Sequence, residues 1–219
     1  LAAMAPQRCQ RFDLNRQGLI VGEGAGILVI ESEEHAGRRN ATPQAEVGGY
    51  GLSCDGYHIT RPHPDAAGSV TAMRLALEHS GIGPDMVDFV NAHGTGTRAN
   101  DLAEAKAMHD IFGERRVPIS SVKSMIGHCM GAASALEAIS CVMTLETGIL
   151  PPTIAFETPD PECDVDVVAN VARKTERADV VLNNSAAFGG YNAVACFAKP
   201  GVLPDPAAVK RARAAAAAA

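Results

Sequence analysis

The 219 residues contain no tryptophan, no C-x-x-C pair, no basic excess and no apolar run of membrane-spanning length. Each absence excludes something. Twenty-five acidic residues against 19 basic ones give a formal net charge of −6, so a general nucleic-acid surface is not expected. The longest apolar stretches are broken by Gly, Pro or charge well short of the roughly 20 residues needed to cross a bilayer, and no membrane partner is expected. No signal-peptide pattern opens the sequence. Six cysteines (Cys9, Cys54, Cys129, Cys141, Cys163, Cys196) are scattered along the chain. That pattern suggests reduced, mostly buried thiols of a cytoplasmic protein, not a disulfide framework. An initiator methionine is also absent: "LAAMA" reads like the middle of a helix, and "KRARAAAAAA" has little side-chain content. Residues 1–10 are therefore read as the start of an internal segment and 11–200 as one domain. Residues 201–219 are read as a tail outside the fold, expected to be disordered.

What is present is an alternation of helical and extended patterns. "VGEGAGILVIES" leads into a β-branched run that predicts a buried strand over Ile27–Ile30, and "AEVGGYGLS" predicts a glycine-weakened strand. Val70, Met73 and Leu77 give helical spacing over 67–80, with Gly81 as its stop. "VDFV" is a short strand, and Asp101 with Glu104 makes a capping-box pattern for a helix through Phe112. "VPISSV" is the next strand and "GAASALEAISCVMTLETG" a small-residue helix ended by Gly148. "DVVLNN" and "YNAVACFA" read as strands around a "SAAFGG" turn. The class is α/β, a mixed sheet with flanking helices.

Three turns carry chemistry. In "VNAHGTGTRAND", His93 follows a strand end, where α/β folds place ligands, and Gly94 and Gly96 permit close approach of backbone or ligand. In "SVKSMIGHCMGAAS", Lys123 follows a strand and His128 precedes a helix. The positive field of a helix N-terminus disfavours a protonated imidazole, leaving a neutral N–H donor that can polarise a carbonyl. In "NNSAAFGGYN", two glycines after Phe188 allow a strained turn whose N–H groups can face a cleft. Each has a plainer alternative: a structural histidine, a capping histidine, a tight hairpin.

Together with "RFDLNRQGLIVGEGAGILVIE" and "SCDGYHITRPHP", these motifs resemble the C-terminal half of β-ketoacyl-acyl-carrier-protein synthases, ketosynthases of the thiolase superfamily, over residues 11–199. The resemblance implies a thiolase-like layered αβαβα fold, of which this chain covers the C-terminal half. It also implies decarboxylative Claisen condensation of an acyl thioester with malonyl-carrier protein, in fatty-acid or type II polyketide synthesis. On that likeness His93 and His128 are the N–H donors to the enolate oxygen. Lys123 is the catalytic-site lysine and Glu104 its partner carboxylate. The backbone N–H of Phe188 is an oxyanion-hole donor and its ring gates the acyl pocket, with Gly189 and Gly190 completing that turn, and Asp55 and His58 lie on a second gating loop. The glycines and threonines after His93 would then make room for the thioester.

The family's nucleophilic cysteine lies in its N-terminal half, and none of the six cysteines here has that context. The other half of the ketosynthase, or a second chain, is therefore expected as a partner, in a homodimer or heterodimer, along with acyl carrier protein. No cofactor and no metal are expected; Cys54, His58 and His63 lack the tight ligand pairs of zinc sites. Four residues depart from the family pattern: Ala186 replaces a bulky aromatic, which should enlarge the acyl pocket, Ala187 replaces a glycine, which should stiffen the gate, Tyr191 stands for a threonine and Ser134 for a glycine. Arg61, Arg38-Arg39 and Arg115-Arg116 are candidates for meeting an acidic carrier. The competing reading is a non-catalytic, chain-length-factor-type subunit of a ketosynthase heterodimer. A thiolase is disfavoured because Cys196 lies in "ACFAKP", without the C-x-G motif.

Overall fold

The structure is a computed structural model that describes residues 4–5 and 7–217. A short helix, α1 (Glu33–Arg38), precedes the first strand, β1 (Glu46–Cys54). There follow α2 (Ala67–Ser80), β2 (Phe89–Asn91), α3 (Arg98–Phe112), β3 (Ile119–Ser120) and α4 (Lys123–Ile126). The chain continues through α5 (Ala133–Thr147), β4 (Ile149–Leu150), β5 (Arg173–Lys174), β6 (Val180–Ala187), β7 (Tyr191–Ala198) and α6 (Pro206–Ala217). Among the described residues no helix is long and apolar enough to cross a membrane.

One five-stranded sheet, ordered β1-β7-β6-β2-β3, organises the molecule. β7 runs antiparallel to both β1 and β6, whereas β2 pairs in parallel with both β6 and β3. Alternation along the strands sends side chains to two cores. Val90, Val180, Leu182, Val194 and Cys196 face α2 and α3. Phe89, Val181 and Phe197 face Ala138, Cys141 and Leu145 of α5. Helices thus cover both faces at the sheet's centre. α2 lies directly on the backbone of β1: a side chain at Gly51 would run into the carbonyl of Ala72. That close packing is why a strand this rich in glycine is tolerated.

Three expectations fail. Residues 27–30 form no strand, and Ile27, Val29 and Ile30 are 88%, 84% and 74% exposed. Their β-branched composition fits a strand, but no strand of this chain lies beside them. The capping box is also absent: α3 begins at Arg98 with Thr97 at its N-cap, placing Asp101 and Glu104 inside the helix, where both are buried. Finally, the tail forms α6. Alanine-rich sequence favours helix, Val209 reaches Gly81, and Arg213 pairs with Glu78 of α2 at 3.0 Å.

Candidate active site

β2 ends at Asn91, and the chain turns through His93 and Gly94 toward α3. Side chains hold all four main-chain groups of this two-residue step. Glu104 accepts the N–H of His93 and of Gly94 through its two oxygens, each at 2.8 Å. Lys123 donates to the His93 carbonyl at 2.7 Å. The Gly94 carbonyl accepts both Arg11 Nε, at 3.1 Å, and Ser121 Oγ, at 2.8 Å. Gly94 has φ +35°, and a Cβ there would collide with Ser121. At Gly96 it would meet the carbonyl of Gly18. At both positions the missing side chain leaves room for neighbouring protein.

His128 is set by a different segment. Its N–H donates to the Ile20 carbonyl and its carbonyl accepts from Gly22, so the stretch 20–22 fixes the imidazole from behind. The rings of His93 and His128 lie 5.5 Å apart and nearly perpendicular, at 85°. Met130 N–H donates to His128 Nδ1 at 3.1 Å. Lys123 Nζ, which has only protons to offer, stands 3.4 Å from His93 Nδ1. Both Nδ1 atoms therefore act as acceptors, which assigns the neutral-ring proton to Nε2 in each case. Burial, then the charge of Lys123, then the neighbouring imidazole hold His93 well below the ordinary imidazole value. Burial, Lys123 and Arg11 push His128 down to about 4. The uncharged state anticipated for His128 is the one found, but its causes are desolvation and two cations.

Lys123 is fully buried, and its ion-pair partner is Glu137 of α5, likewise fully buried. Glu104, expected in that role, is occupied by the two backbone N–H groups and is also reached by Asn184 Nδ2 at 3.4 Å. Burial pushes the Glu137 carboxyl up to about 7 against the opposing pull of Lys123. Sequence reading missed Glu137, although a signal was there: Ala133, Glu137, Cys141 and Leu145 form a buried i, i+4 stripe with one carboxylate in it. Arg11 and Ser121 were missed as well, and neither gives a sequence signal.

The late turn lies at the β6–β7 hairpin. β6 runs through Ala187, so only Phe188–Gly190 form the turn. Gly189 N–H donates to the Ile59 carbonyl at 2.7 Å, and Asp55 N–H donates to the Gly190 carbonyl at 2.8 Å. The Gly189 N–H is thus bound to the facing loop, and the Phe188 ring, expected to gate the acyl pocket, is exposed. Asp55 ties that loop together, accepting from Asn192 Nδ2 at 2.8 Å and from the His63 N–H at 2.9 Å. His58 Nδ1 accepts the N–H groups of Thr60 and Arg61. Pro62, Ser185, Ala186 and Asn192 line a cleft together with His93, while Ala187 lies exposed at the hairpin end.

None of the six cysteines is disulfide-bonded, and five are buried. Burial raises the thiols of Cys141 and Cys196 and pushes Cys163 up to about 12, away from the thiolate a nucleophile needs. Among the described residues no group of three or more His, Cys, Asp or Glu side chains could hold a metal. Of the basic pairs considered for a carrier, Arg38 and Arg39 face Glu34 and Glu31, and Arg115 and Arg116 face Asp88 and Asp164. Arg61 has no ion pair among the described residues.

Residues 44–157 match the family model described as beta-ketoacyl synthase, C-terminal domain. Nodulation protein E of Rhizobium meliloti is 48% identical over 199 residues, covering 90% of this chain and 49% of that protein. 3-Oxoacyl-[acyl-carrier-protein] synthase 2 of Coxiella burnetii is 47% identical over 190 residues, covering 85% of this chain and 46% of that protein. The solved ishigamide ketosynthase/chain length factor superposes with a TM-score of 0.88 at 48% identity, covering 91% of this chain and 49% of that one. The chain spans about half the length of the curated relatives it matches. Its mixed sheet between helical layers is the α/β, thiolase-like fold of these ketosynthases. The chain therefore belongs to the β-ketoacyl synthase family, carrying that family's C-terminal domain.

Proposed function

We propose that this chain supplies the two-histidine half of a 3-oxoacyl-carrier-protein synthase that performs decarboxylative Claisen condensation. The observation that supports this best is the pair of neutral imidazoles 5.5 Å apart, each with its Nδ1 occupied as an acceptor. Two Nε2–H groups can then converge on one thioester oxygen. As malonyl thioester loses carbon dioxide, the electron pair of the broken C–C bond moves into an enolate whose oxygen accepts both hydrogen bonds. The nucleophilic carbon attacks an acyl group carried as a cysteine thioester, the C–S bond breaks, and thiolate leaves. Preorganised donors of this kind are worth about 2.7–4 kcal/mol each in comparable oxyanion sites.

Lys123, locked between Glu137 and the His93 carbonyl, is a positioning residue that also disfavours imidazolium. Glu104 fixes the turn. The acyl-bearing cysteine belongs to the other half of the protein, which pairs with this chain in a homodimer or heterodimer. Arg61, beside cleft-lining Pro62, is the basic residue best placed to meet an acidic carrier protein. Retention of His93, His128 and Lys123 together favours catalysis over a chain-length-factor role. The test is malonyl-carrier decarboxylation by the full-length protein. His93→Ala and His128→Ala should each lower it by about a hundredfold or more, and decarboxylation at the wild-type rate in either variant would remove the donor roles.

A further inference from the structure

Arg11 is fully buried, yet among the described residues only Nε of its five N–H donors has a partner, the Gly94 carbonyl. Both terminal nitrogens lack hydrogen bonds, and among the described residues no carboxylate lies within ion-pair distance. Asp101, the nearest acidic influence, gives its oxygens to the N–H groups of Phe12 and Gly96. Burying a guanidinium this way is unfavourable, and an apolar side chain of similar length would fill the space at less cost. The hydrogen bond does not explain the residue either, because Ser121 Oγ already satisfies the Gly94 carbonyl. What remains distinctive about Arg11 is a fixed positive charge behind the turn that carries His93.

We propose that Arg11 is a positioning residue of the two-histidine site, its buried guanidinium bound to the Gly94 carbonyl so that a fixed positive charge stands at the turn that carries His93. The inference rests on the condensing-enzyme reading given above. The groups around His128 fit it: Lys123 of α4, Arg11, and the ring of His93. Glu137 of α5 and Glu104 of α3 are the nearby carboxylates, but they bind the Lys123 ammonium and the 93–94 backbone respectively. No carboxylate is therefore left to stabilise imidazolium at His128. Arg11 and Lys123 hold consecutive carbonyls of the turn, so two cations serve the same two-residue step. An enolate formed beside them would also gain from their field.

The experiment is the pH profile of malonyl-carrier decarboxylation by the full-length protein, in the wild type and in Arg11→Met, Arg11→Gln and Arg11→Lys. Methionine fills the space, glutamine keeps a donor for the Gly94 carbonyl, and lysine keeps the charge. In both neutral variants the acid limb should move toward neutral pH. Their rate relative to wild type should be about fivefold or more lower at pH 5 than at pH 8, as expected when a nearby cation is removed. Lysine should restore the wild-type limb, and KM for the malonyl carrier should not change. A folded neutral variant with an unmoved limb overturns the proposal, as does a lysine variant that shifts as far as methionine. If neither neutral variant folds while lysine does, Arg11 is structural and the proposal fails. Should the wild-type protein not decarboxylate at all, the functional reading falls instead. NMR titration of the His128 imidazole in the same variants would then decide the role of Arg11.

Discussion

At the scale of single residues, two carboxylates near Lys123 do different work. Glu137 neutralises the buried ammonium, whereas Glu104 satisfies two backbone N–H groups. Removing one partner of a buried ion pair leaves an uncompensated charge, so Glu137→Ala should destabilise the full protein by about 3–5 kcal/mol. Glu104→Gln, which keeps an acceptor for one N–H, should be milder, and denaturant midpoints compare the two. Protonation gives a second test at this scale. The folded protein keeps His128 neutral down to about pH 4, while the unfolded chain takes up that proton below about 6.5. Between those values the unfolded state binds more protons, so the residue's contribution to stability falls as pH drops. His128→Asn lacks this dependence and should become progressively more stable relative to wild type as pH falls from 6.5 to 4. A constant difference across that window would show that the imidazole is not held neutral. The candidate site was only partly legible in the sequence: His93, His128 and Lys123 stand at strand and helix ends, where motif spacing shows them. Arg11 is 82 residues from His93, and only the folded chain brings them to one turn.

At the scale of elements, sequence patterns succeeded best for the longer strands of the sheet and the helices packed on it. Helical spacing and glycine stops located α2 and α5, and alternation located β1, β6 and β7. They failed at Ile27–Ile30, where strand-like composition has no neighbour to pair with, and at the start of α3, where Asp101 and Glu104 reach out to the loops instead of capping the helix. The β6–β7 hairpin carries its own prediction. Ala186 lines the cleft with His93, Ser185 and Pro62, and the loop opposite is tied down by Asp55 and Gly189. A rigid wall with a small residue in it should set the acyl space. Ala186→Phe should therefore shift the full enzyme toward shorter acyl chains, read from product lengths, while leaving malonyl decarboxylation largely intact. An unchanged product profile would show that the acyl chain passes elsewhere.

At the scale of the whole molecule, the unusual feature is what the helices leave uncovered. Beyond Ile27, Val29 and Ile30, the strand β1 exposes Val47, Tyr50 and Leu52, and Met143 of α5 is exposed as well. β1 is an edge strand paired on one side only, with β7. Exposed apolar side chains in this number, together with an open strand edge, mark an interaction face and, without its partner, an aggregation hazard. The site points the same way, since two neutral imidazoles and a buried lysine are assembled here beside cysteines whose thiols burial disfavours as thiolates. The 219-residue chain alone should therefore associate in solution and bind a hydrophobic dye, and it should not form an acyl-enzyme with an acyl thioester. Ile27→Lys combined with Val29→Lys should keep the isolated chain monomeric by light scattering, because a charge on each residue blocks the patch. The same pair placed in the full-length protein should abolish folding or assembly, since the patch would then be buried. If the doubly substituted full-length protein folded and condensed normally, these side chains would be ordinary exposed surface and the chain's apolar face would need no partner.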